Sequence, residues 1–424
     1  MPISPIFVSQ DDQLQFANTT KLRDLDSFEE FFWLIAQSAN MSHSVVVDVI
    51  GPTTVEQWWE AMEAVQTRYP LLSASIRKIP GKRPFFERVE GASMPFRLSP
   101  LPGSMVLEQE MEIELEKSFG DGSGPLTRAT LFHAPDRSVI IFTTYHSSLD
   151  GKSHLLLVQD LLAHVAGEEL GKPLEVQPGL AQLLGLPAPI EYAKNIGGRL
   201  KVAKSELELA PVRVQRLQLS VEETSALVER AKKEGTTVHT ALIVALALAG
   251  QRYCEKWNVE PIRCMSPIDM RKALKIPGAP GLLIGAHSGS VPIREGASFW
   301  SMARTVKKDM LATHGIDGAR QLMGALSSMV AEEHNPNDLY SSVINGPLMH
   351  ELMVTNYAGY KVRTLYGNLK IDNLFTGSPS VTAPLQKVSV LTLNGRLGMT
   401  LVARDLFPNM LDDAREILLN ASRD

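Results

Sequence analysis

The chain has 424 residues, of which 44% are hydrophobic and 21% charged, and its formal net charge is -5 at pH 7. This is the composition of an ordinary globular protein, and the length suffices for two or three domains or two large lobes. A nucleic-acid-binding protein would carry a basic patch or an excess of basic residues. The acidic balance of this chain therefore predicts no nucleic-acid partner.

The two cysteines, Cys254 and Cys264, have neither a C-x-x-C partner nor a spacing typical of metal ligands. We predict two small buried side chains, no disulfide framework, no metal site and a reducing compartment. The N-terminus lacks the basic segment and apolar run of a signal peptide. The longest apolar stretch, residues 241–249, is far shorter than the roughly 20 residues that span a bilayer. We therefore expect a cytoplasmic protein without a membrane span.

The first part of the chain predicts helices that alternate with short strands. Residues 27–42 are rich in aromatic side chains and predict a helix packed on a lobe, and residues 44–50 predict a strand. Residues 53–57 offer two capping-box spacings, and the helix that begins there should end before Pro70. Further strands are predicted at residues 71–77 and 85–89.

A strand, a turn and a helix then follow one another closely. Residues 138–144 are apolar and β-branched on both faces, which predicts a strand buried on both sides. Gly151 interrupts this pattern, and a helix with a broad apolar face begins near Ser153, whose side chain can cap it. His146 and Asp150 therefore lie on a strand-to-helix turn, a rigid place from which to present a reactive group.

The chemistry available on this turn is narrow. A histidine with a near-neutral pKa can take a proton from a hydroxyl, amine or thiol and return it later. Asp150 and the following Gly151 can hold the loop in shape without touching a substrate. The spacing H-x-x-x-D arises often by chance, but its position between a buried strand and a helix makes His146 a candidate general base.

The segment from His146 to Gly151 resembles the H-H-x-x-x-D-G motif of chloramphenicol-acetyltransferase-like acyltransferases. That superfamily includes peptide-synthetase condensation domains and stand-alone polyketide-associated acyltransferases. The resemblance implies that His146 is the general base and that Asp150 is mainly structural. Tyr145 stands where the motif has its first histidine. Plant-type acyltransferases also lack that histidine, so the replacement is compatible with activity but departs from the strict condensation-domain pattern.

Two segments before His146 add to the resemblance. Residues 68–76 resemble the R-H-P-x-L-R segment of condensation-type proteins, in which a helix ends and a strand begins. Residues 124–132 contain a Pro-Leu-x-Arg stretch like the one in the strand before the catalytic strand. Each match is weak by itself, and their order and spacing before His146 strengthen the comparison.

A Pro- and Gly-rich stretch divides the chain into two halves. We predict an N-terminal lobe over residues 1–180, a connector over 181–211 and a C-terminal lobe over 212–424. The second half begins with a strand at 212–219, followed by a capping box at 220–223 and a buried helix at 238–252. The resemblance implies an α/β fold of two pseudo-symmetric lobes, each a mixed β-sheet flanked by helices, with a tunnel between them.

The second half supplies partners for the motif. Residues 261–271 resemble a P-V-x-x-R segment, and in plant-type members an arginine in the comparable place pairs with the motif aspartate. The resemblance thus implies an ion pair between Arg271 and Asp150, which a planar guanidinium fork suits well. The alternative is that Arg271 and Lys272 form a solvated turn.

Residues 351–359 resemble the S-N-x-G strand of condensation-type proteins, where the polar pair lies near the active-site channel. Thr355 and Asn356 are therefore candidates for holding a developing oxyanion, and Tyr145 is a further candidate for the channel. The alternative for Thr355 and Asn356 is a turn at the end of a strand. The D-F-G-W-G signature of plant acyltransferases is absent.

The resemblance implies a thioester-dependent acyltransferase. The acyl donor is acyl-coenzyme A or an acyl carrier protein's phosphopantetheine thioester, and the acceptor is a small alcohol, favoured over an amine. No metal or permanently bound cofactor is expected. Ser147 and Ser148 lack the G-x-S-x-G elbow of a covalent nucleophile, so direct attack of the acceptor on the thioester is expected.

Three other functions remain open from the sequence. A condensation-type enzyme would form an amide, and a non-catalytic relative would bind carrier proteins without turnover. A hydrolase would use Ser147 or Ser148 as its nucleophile. The two-lobe plan removes the need for a second subunit, so we expect a monomer.

Overall fold

The computed structural model describes residues 19–187 and 210–423, apart from residues 80, 295, 333–335, 347, 358, 383 and 384. Most of the predicted connector, residues 188–209, lies outside the described residues. Within the described part, the strands form two six-stranded sheets and one three-stranded sheet. Among these residues, no helix is both long and apolar enough to cross a bilayer.

The described strands are, in chain order, β1 Thr19–Asp24, β2 Ser42–Ile50, β3 Ala74–Arg77, β4 Phe85–Val89, β5 Phe96–Pro100, β6 Thr127–Ala134, β7 Arg137–Tyr145, β8 Arg213–Gln218, β9 Arg263–Asp269, β10 Ile284–Ser290, β11 Leu352–Asn356, β12 Leu365–Tyr366, β13 Leu369–Gly377, β14 Gln386–Leu393 and β15 Arg396–Ala403. The described helices are α1 Ser27–Ile35, α2 Val55–Arg68, α3 Leu107–Glu116, α4 Gly151–Val165, α5 Leu180–Leu183, α6 Val221–Lys233, α7 Val238–Gly250, α8 Lys256–Val259, α9 Arg271–Leu274, α10 Phe299–Thr313, α11 Ile316–Glu332, α12 Pro336–Asn345 and α13 Met410–Arg423.

The two large sheets have the same mixed character. The first has the order β12-β13-β2-β7-β6-β5, and the second has the order β10-β9-β11-β14-β15-β8. In the first sheet β5 and β6 run parallel, and in the second β11 runs parallel to both β9 and β14. The remaining pairs in both sheets are antiparallel. The predicted α/β fold, with two mixed sheets flanked by helices, is confirmed.

The first large sheet also contains strands from the second half of the chain. β13 pairs with β2 over Lys370–Ile50 to Gly377–Ser44, and β12 extends the sheet beyond β13. Residues predicted to belong to the C-terminal lobe, 212–424, thus complete the sheet that carries the motif strand β7. The lobe boundaries stay a prediction, but the two halves share this sheet.

Several local predictions are confirmed with adjusted ends. The Thr54 side chain and the Gln57 side chain form the capping box of α2, and Ser220 with Glu223 forms that of α6. The helix predicted at 27–42 ends at Ile35, because the chain turns at residues 36–39 to enter β2. The strand predicted at 71–77 was too long, because Pro70–Ser73 form a 3-10 turn before β3.

The interior is divided among the faces of the two large sheets. In β2, Val45, Val47 and Val49 pack in a core with α2 and α4, while Val46 faces the opposite side of the sheet. A second core lies under the C-terminal helices α7 and α13. Both cysteines are free, Cys264 buried and Cys254 half-buried.

Candidate active site

The turn between β7 and α4 is fixed by backbone hydrogen bonds at both ends. The His146 N–H donates to the Met41 carbonyl at 2.9 Å, and the Asp150 N–H donates to the Gly281 carbonyl at 3.2 Å. The first bond joins the turn to the residue before β2, and the second joins it to the loop before β10. The motif turn is therefore held by both halves of the chain.

Asp150 is the N-cap residue of α4, and the predicted capping by Ser153 is wrong. Asp150 Oδ1 accepts hydrogen bonds from the Ser153 N–H and from the Ser153 hydroxyl, each at 2.9 Å. Gly151 is already helical, so α4 begins two residues earlier than the sequence pattern indicated. The carboxylate thus satisfies a backbone donor that would otherwise be unpaired at the helix start.

The ion pair between Asp150 and Arg271 is present and is buried. The guanidinium donates from Nη1 to Asp150 Oδ2 and from Nη2 to Asp150 Oδ1, both at 2.9 Å, and the side chains are 0% and 1% exposed. Arg271 also donates to the Ala279 carbonyl at 2.7 Å and to Asp269 at 2.9 Å. Burial raises the pKa of Asp150, but the Arg271 charge and hydrogen bonds outweigh it and hold that pKa below its usual value.

Gly151 is required by a close neighbour from the other lobe. A Cβ atom at this position would overlap the hydroxyl of Tyr357, which follows β11. The Tyr357 N–H donates to the Val390 carbonyl of β14 at 2.9 Å, so its backbone is held by the second sheet. The end of β11 therefore faces the start of α4.

The protonation of His146 is set by the turn itself. His146 Nδ1 lies 3.2 Å from the Leu149 carbonyl, which can only accept, so Nδ1 carries the hydrogen and Nε2 keeps its lone pair. Burial and, second to it, the charge of Lys387 lower the pKa of His146 to about 4, while the charge of Asp150 opposes the shift. His146 as a residue is partly exposed. A neutral imidazole with a free Nε2 can accept a proton.

His146 lies between two other rings. Its ring centroid is 5.0 Å from that of Phe32 in α1 and 5.2 Å from that of His43 in β2. His43 in turn stacks on His154 of α4, with centroids 4.5 Å apart. We call His146, His43 and His154 the histidine column.

Hydrogen bonds assign the protons in the rest of the column. The Thr376 hydroxyl donates to the Ser44 carbonyl at 2.9 Å, so Thr376 Oγ1 accepts from His43 Nε2 at 2.8 Å. His43 Nδ1 then accepts from His154 Nδ1, and His154 Nε2 accepts from the Thr144 hydroxyl at 2.6 Å. Burial lowers the pKa of both rings, that of His154 to about 3. When His43 and His154 are both neutral, each of their four ring nitrogens has one hydrogen-bond partner.

Three comparisons with known proteins bear on this arrangement. The sequence model for the phthiocerol/phthiodiolone dimycocerosyl transferase C-terminus matches residues 209–338. The structure of polyketide synthase associated protein 5 from Mycobacterium tuberculosis is similar at a TM-score of 0.64 and 18% identity, covering 96% of this chain and 99% of that one. No curated protein sequence matches the chain significantly.

Two further structures are similar over nearly their whole length. The first condensation domain of the CDA synthetase superposes with a TM-score of 0.66 at 16% identity, covering 96% of this chain and 97% of that one. Trichothecene 15-O-acetyltransferase from Fusarium sporotrichioides superposes with a TM-score of 0.63 at 12% identity, covering 95% of each chain. The chain has the chloramphenicol-acetyltransferase-like fold. The resemblance predicted from the sequence is thereby confirmed.

Within this chloramphenicol-acetyltransferase-like fold, the predicted oxyanion candidates lie in different places. Thr355 and Asn356 end β11 and are half-buried beside Tyr357, on the strand that faces the motif turn. Tyr145 is 1% exposed and lies in the core of the first lobe, its ring 5.8 Å from that of Phe119. Burial raises its pKa. β11 thus ends near the start of α4, with Thr355 and Asn356 as its last two residues, whereas Tyr145 is packed in the core.

Ser147 and Ser148 are both fully buried. The Ser148 hydroxyl donates to the Tyr145 carbonyl at 2.8 Å, which occupies it within the turn. A nucleophilic serine must be reachable by substrate and adjacent to a base. The structure therefore gives no support to a serine hydrolase.

Sequence reasoning missed His43, His154 and Lys387. His154 gave a signal, because it is a polar residue on the apolar face of α4. His43 lies between two serines, and Lys387 alternates with apolar residues as an exposed side chain would, so neither gave one. Lys387 is half-buried in β14, and burial lowers its pKa to about 8. Among the described residues there is no group of three or more His, Cys, Asp or Glu side chains that could hold a metal ion.

Proposed function

We propose that the protein is an acyltransferase that moves an acyl group from a coenzyme A or carrier-protein thioester to a small acceptor. The observation that carries the proposal is His146, whose Nε2 keeps its lone pair because Nδ1 is bonded to the Leu149 carbonyl. The turn that presents this atom is locked by the buried pair of Asp150 and Arg271. A rigid, neutral imidazole at a partly exposed position can take the proton of an acceptor, and its lowered pKa makes it a weaker base than a free histidine.

The proposed reaction has a single base. His146 Nε2 removes the proton from the acceptor hydroxyl as the acceptor oxygen bonds to the thioester carbonyl carbon. The carbonyl electron pair moves onto oxygen, and on collapse the C–S bond breaks. The thiolate then takes the proton back from His146. No covalent enzyme intermediate, metal or redox group takes part in this proposal.

The names of the relatives support the same class of reaction. The matching family is described as a dimycocerosyl transferase, and one similar structure is an O-acetyltransferase. We place a hydroxyl acceptor ahead of an amine on the strength of that second description. We further propose that the protein acts as a monomer in the cytoplasm.

A condensation-type, amide-forming activity is the second candidate. It is favoured by the similarity to the first condensation domain of the CDA synthetase. The nucleophile would be an amine in place of an alcohol, and His146 would serve it in the same way. The two activities differ only in the acceptor, so the product decides between them.

The experiment is product analysis by mass spectrometry. The protein is incubated with acetyl-, octanoyl- and palmitoyl-coenzyme A, and with the corresponding N-acetylcysteamine thioesters as carrier mimics. Hexan-1-ol and hexylamine are supplied together. An ester product supports the proposal, and an amide product alone supports the condensation-type activity. Absence of both products with every thioester, including acyl groups loaded on a carrier protein, would contradict acyl transfer.

A further inference from the structure

The side chain of Lys387 points from the C-terminal sheet toward the first lobe. Side chains alternate along a strand, and in β14 Val388 and Val390 belong to the core beneath the C-terminal helices. Leu391 and Leu393, which alternate in step with Lys387, belong instead to the core that also contains residues of the motif strand β7. Lys387 is therefore on the face of β14 that looks across to the motif.

The face of β14 that carries Lys387 lies across a crevice from Thr376, which is bonded to the histidine column. Ser389, two residues further along the same face of β14, lines a crevice between the sheets together with Thr376. Thr376 is hydrogen-bonded to His43, which stacks on His146. The Lys387 charge is the largest contribution after burial to the lowered pKa of His146, and it adds less than burial and the other two histidines to the lowered pKa of His43. The ammonium group is thus close enough for its field to act on the proposed base.

No carboxylate balances this ammonium group. The only hydrogen bond of Lys387 Nζ within the described residues is a long one, 3.4 Å, to the Pro379 carbonyl. None of the ion pairs among those residues includes Lys387, although buried Arg271, Glu29 and Glu114 are all paired. Removing a cation from water without a counter-charge is unfavourable. Such a group is well suited to meet a negative charge that arises in the crevice.

We propose that Lys387 is a catalytic residue that stabilises the oxyanion formed on the thioester carbonyl. The inference rests on the proposed acyl transfer. It assigns to the C-terminal lobe a charged donor, in addition to the polar residues Thr355 and Asn356 at the end of β11.

A negative charge forms near Lys387 only during the reaction. When His146 accepts the acceptor proton it becomes a cation, and Lys387 opposes that change as long as nothing lies between them. The tetrahedral intermediate carries one negative charge on the former carbonyl oxygen, and an oxyanion between the two cations is stabilised by both. Lys387 thus disfavours protonation of His146 in the absence of substrate and stabilises the transition state. An interaction that is stronger in the transition state than in the ground state accelerates the reaction.

The test compares Lys387→Met and Lys387→Gln with the wild type, using an active thioester and neutral hexan-1-ol. The matched control is Lys370→Met, because Lys370 is an exposed lysine on β13. Loss of one oxyanion-stabilising group should lower kcat about 10²–10³-fold, with KM little changed. Lys387→Arg, which keeps the charge, should retain more activity than either neutral variant.

A measurement on the unaltered protein guards against variants that fail to fold. The wild-type kcat should fall as pH rises through about 8, because burial lowers the pKa of Lys387 to that value. His43 and His146, which lie beside it, have lowered pKa values, and Tyr357 has a raised one, so none of them titrates in that range. A kcat that stays constant from pH 7 to pH 10 would overturn the role of Lys387.

Three other outcomes also test the role of Lys387. A wild-type kcat in both neutral variants would overturn the inference while acyl transfer stands. A loss confined to KM, seen with 6-hydroxyhexanoate and not with hexan-1-ol, would instead make Lys387 a binding site for acceptor carboxylates. If the wild type transfers no acyl group from any thioester, the proposed function fails, and the inference fails with it.

Discussion

Two cations, one fully buried and one half-buried, lie on the C-terminal side of the candidate site, and their surroundings differ. Arg271 is 0% exposed and is bonded to Asp150, Asp269 and backbone carbonyls. Lys387 is half-buried and has one long hydrogen bond and no carboxylate within the described residues. The charge of Arg271 is compensated inside the protein, and that of Lys387 is not.

The difference distinguishes a residue that stabilises the structure of the site from one that acts on the substrate. A compensated pair such as Asp150 and Arg271 stabilises one geometry of the motif turn, because removing either partner leaves a buried charge alone. An uncompensated cation does not stabilise the folded state, because it has lost water without gaining a counter-charge, and it can meet a charge that comes with the substrate. The comparison predicts that Arg271 variants lose stability and that Lys387 variants lose activity.

The largest effect is expected for Arg271→Met. Asp150 would be left buried and unpaired, which should lower the free energy of unfolding by about 3–5 kcal/mol. Chemical denaturation followed by circular dichroism measures this loss. Arg304→Met is the matched control, because Arg304 forms an exposed pair with Glu234 and its loss should cost about 1 kcal/mol or less.

The same experiment can be sharpened with a second substitution. Asp150→Asn combined with Arg271→Met removes both charges, so the double variant should lose less than the sum of the two single variants. Additive losses would mean that the two side chains do not act as a pair, and the distinction between Arg271 and Lys387 would fail.

A smaller loss of stability is expected for Gly151→Ala. The new methyl group would overlap the Tyr357 hydroxyl, and such overpacking costs about 1–3 kcal/mol. Tyr357→Ala in the same chain should recover part of the loss, by thermal or chemical unfolding. Gly103→Ala is the control, because a Cβ at Gly103 meets nothing within 4 Å. Equal effects at the two glycines would argue against the contact between α4 and β11.

The pH dependence of stability tests the histidine column. Burial lowers the pKa of His154 to about 3 in the folded state, so the unfolded state takes up its proton first as pH falls below about 6.5. Stability should therefore decrease on acidification from about pH 6.5, at up to about 1.4 kcal/mol per pH unit for this group. His154→Gln should make the slope shallower, and His314→Gln, at an exposed position, should leave it unchanged.

The motif turn could be predicted because its signal is local. The buried strand before His146, the break at Gly151 and the helix after it stand within a few positions of one another. The pairing of Arg271 with Asp150 spans 121 residues and came only from the family resemblance. No periodicity or spacing in the sequence would have found it.

The rest of the site depends on long-range topology. His43 meets Thr376, 333 residues away, because β13 crosses from the second half of the chain to pair with β2. Lys387 faces the motif because β14 lies in the opposite sheet and its odd-numbered residues point toward the first sheet. A single sequence does not show which buried surfaces meet.

The most direct test of the account is the rate of acceptor-dependent thiol release by wild type, His146→Ala and His314→Ala, with whichever thioester the wild type uses. The account predicts that the wild type and His314→Ala release thiol at similar rates. His146→Ala should be slower by about 10²–10⁴-fold, the usual contribution of a general base, with its unfolding transition little changed. Release by a folded His146→Ala at the wild-type rate would contradict the central claim that His146 is the base.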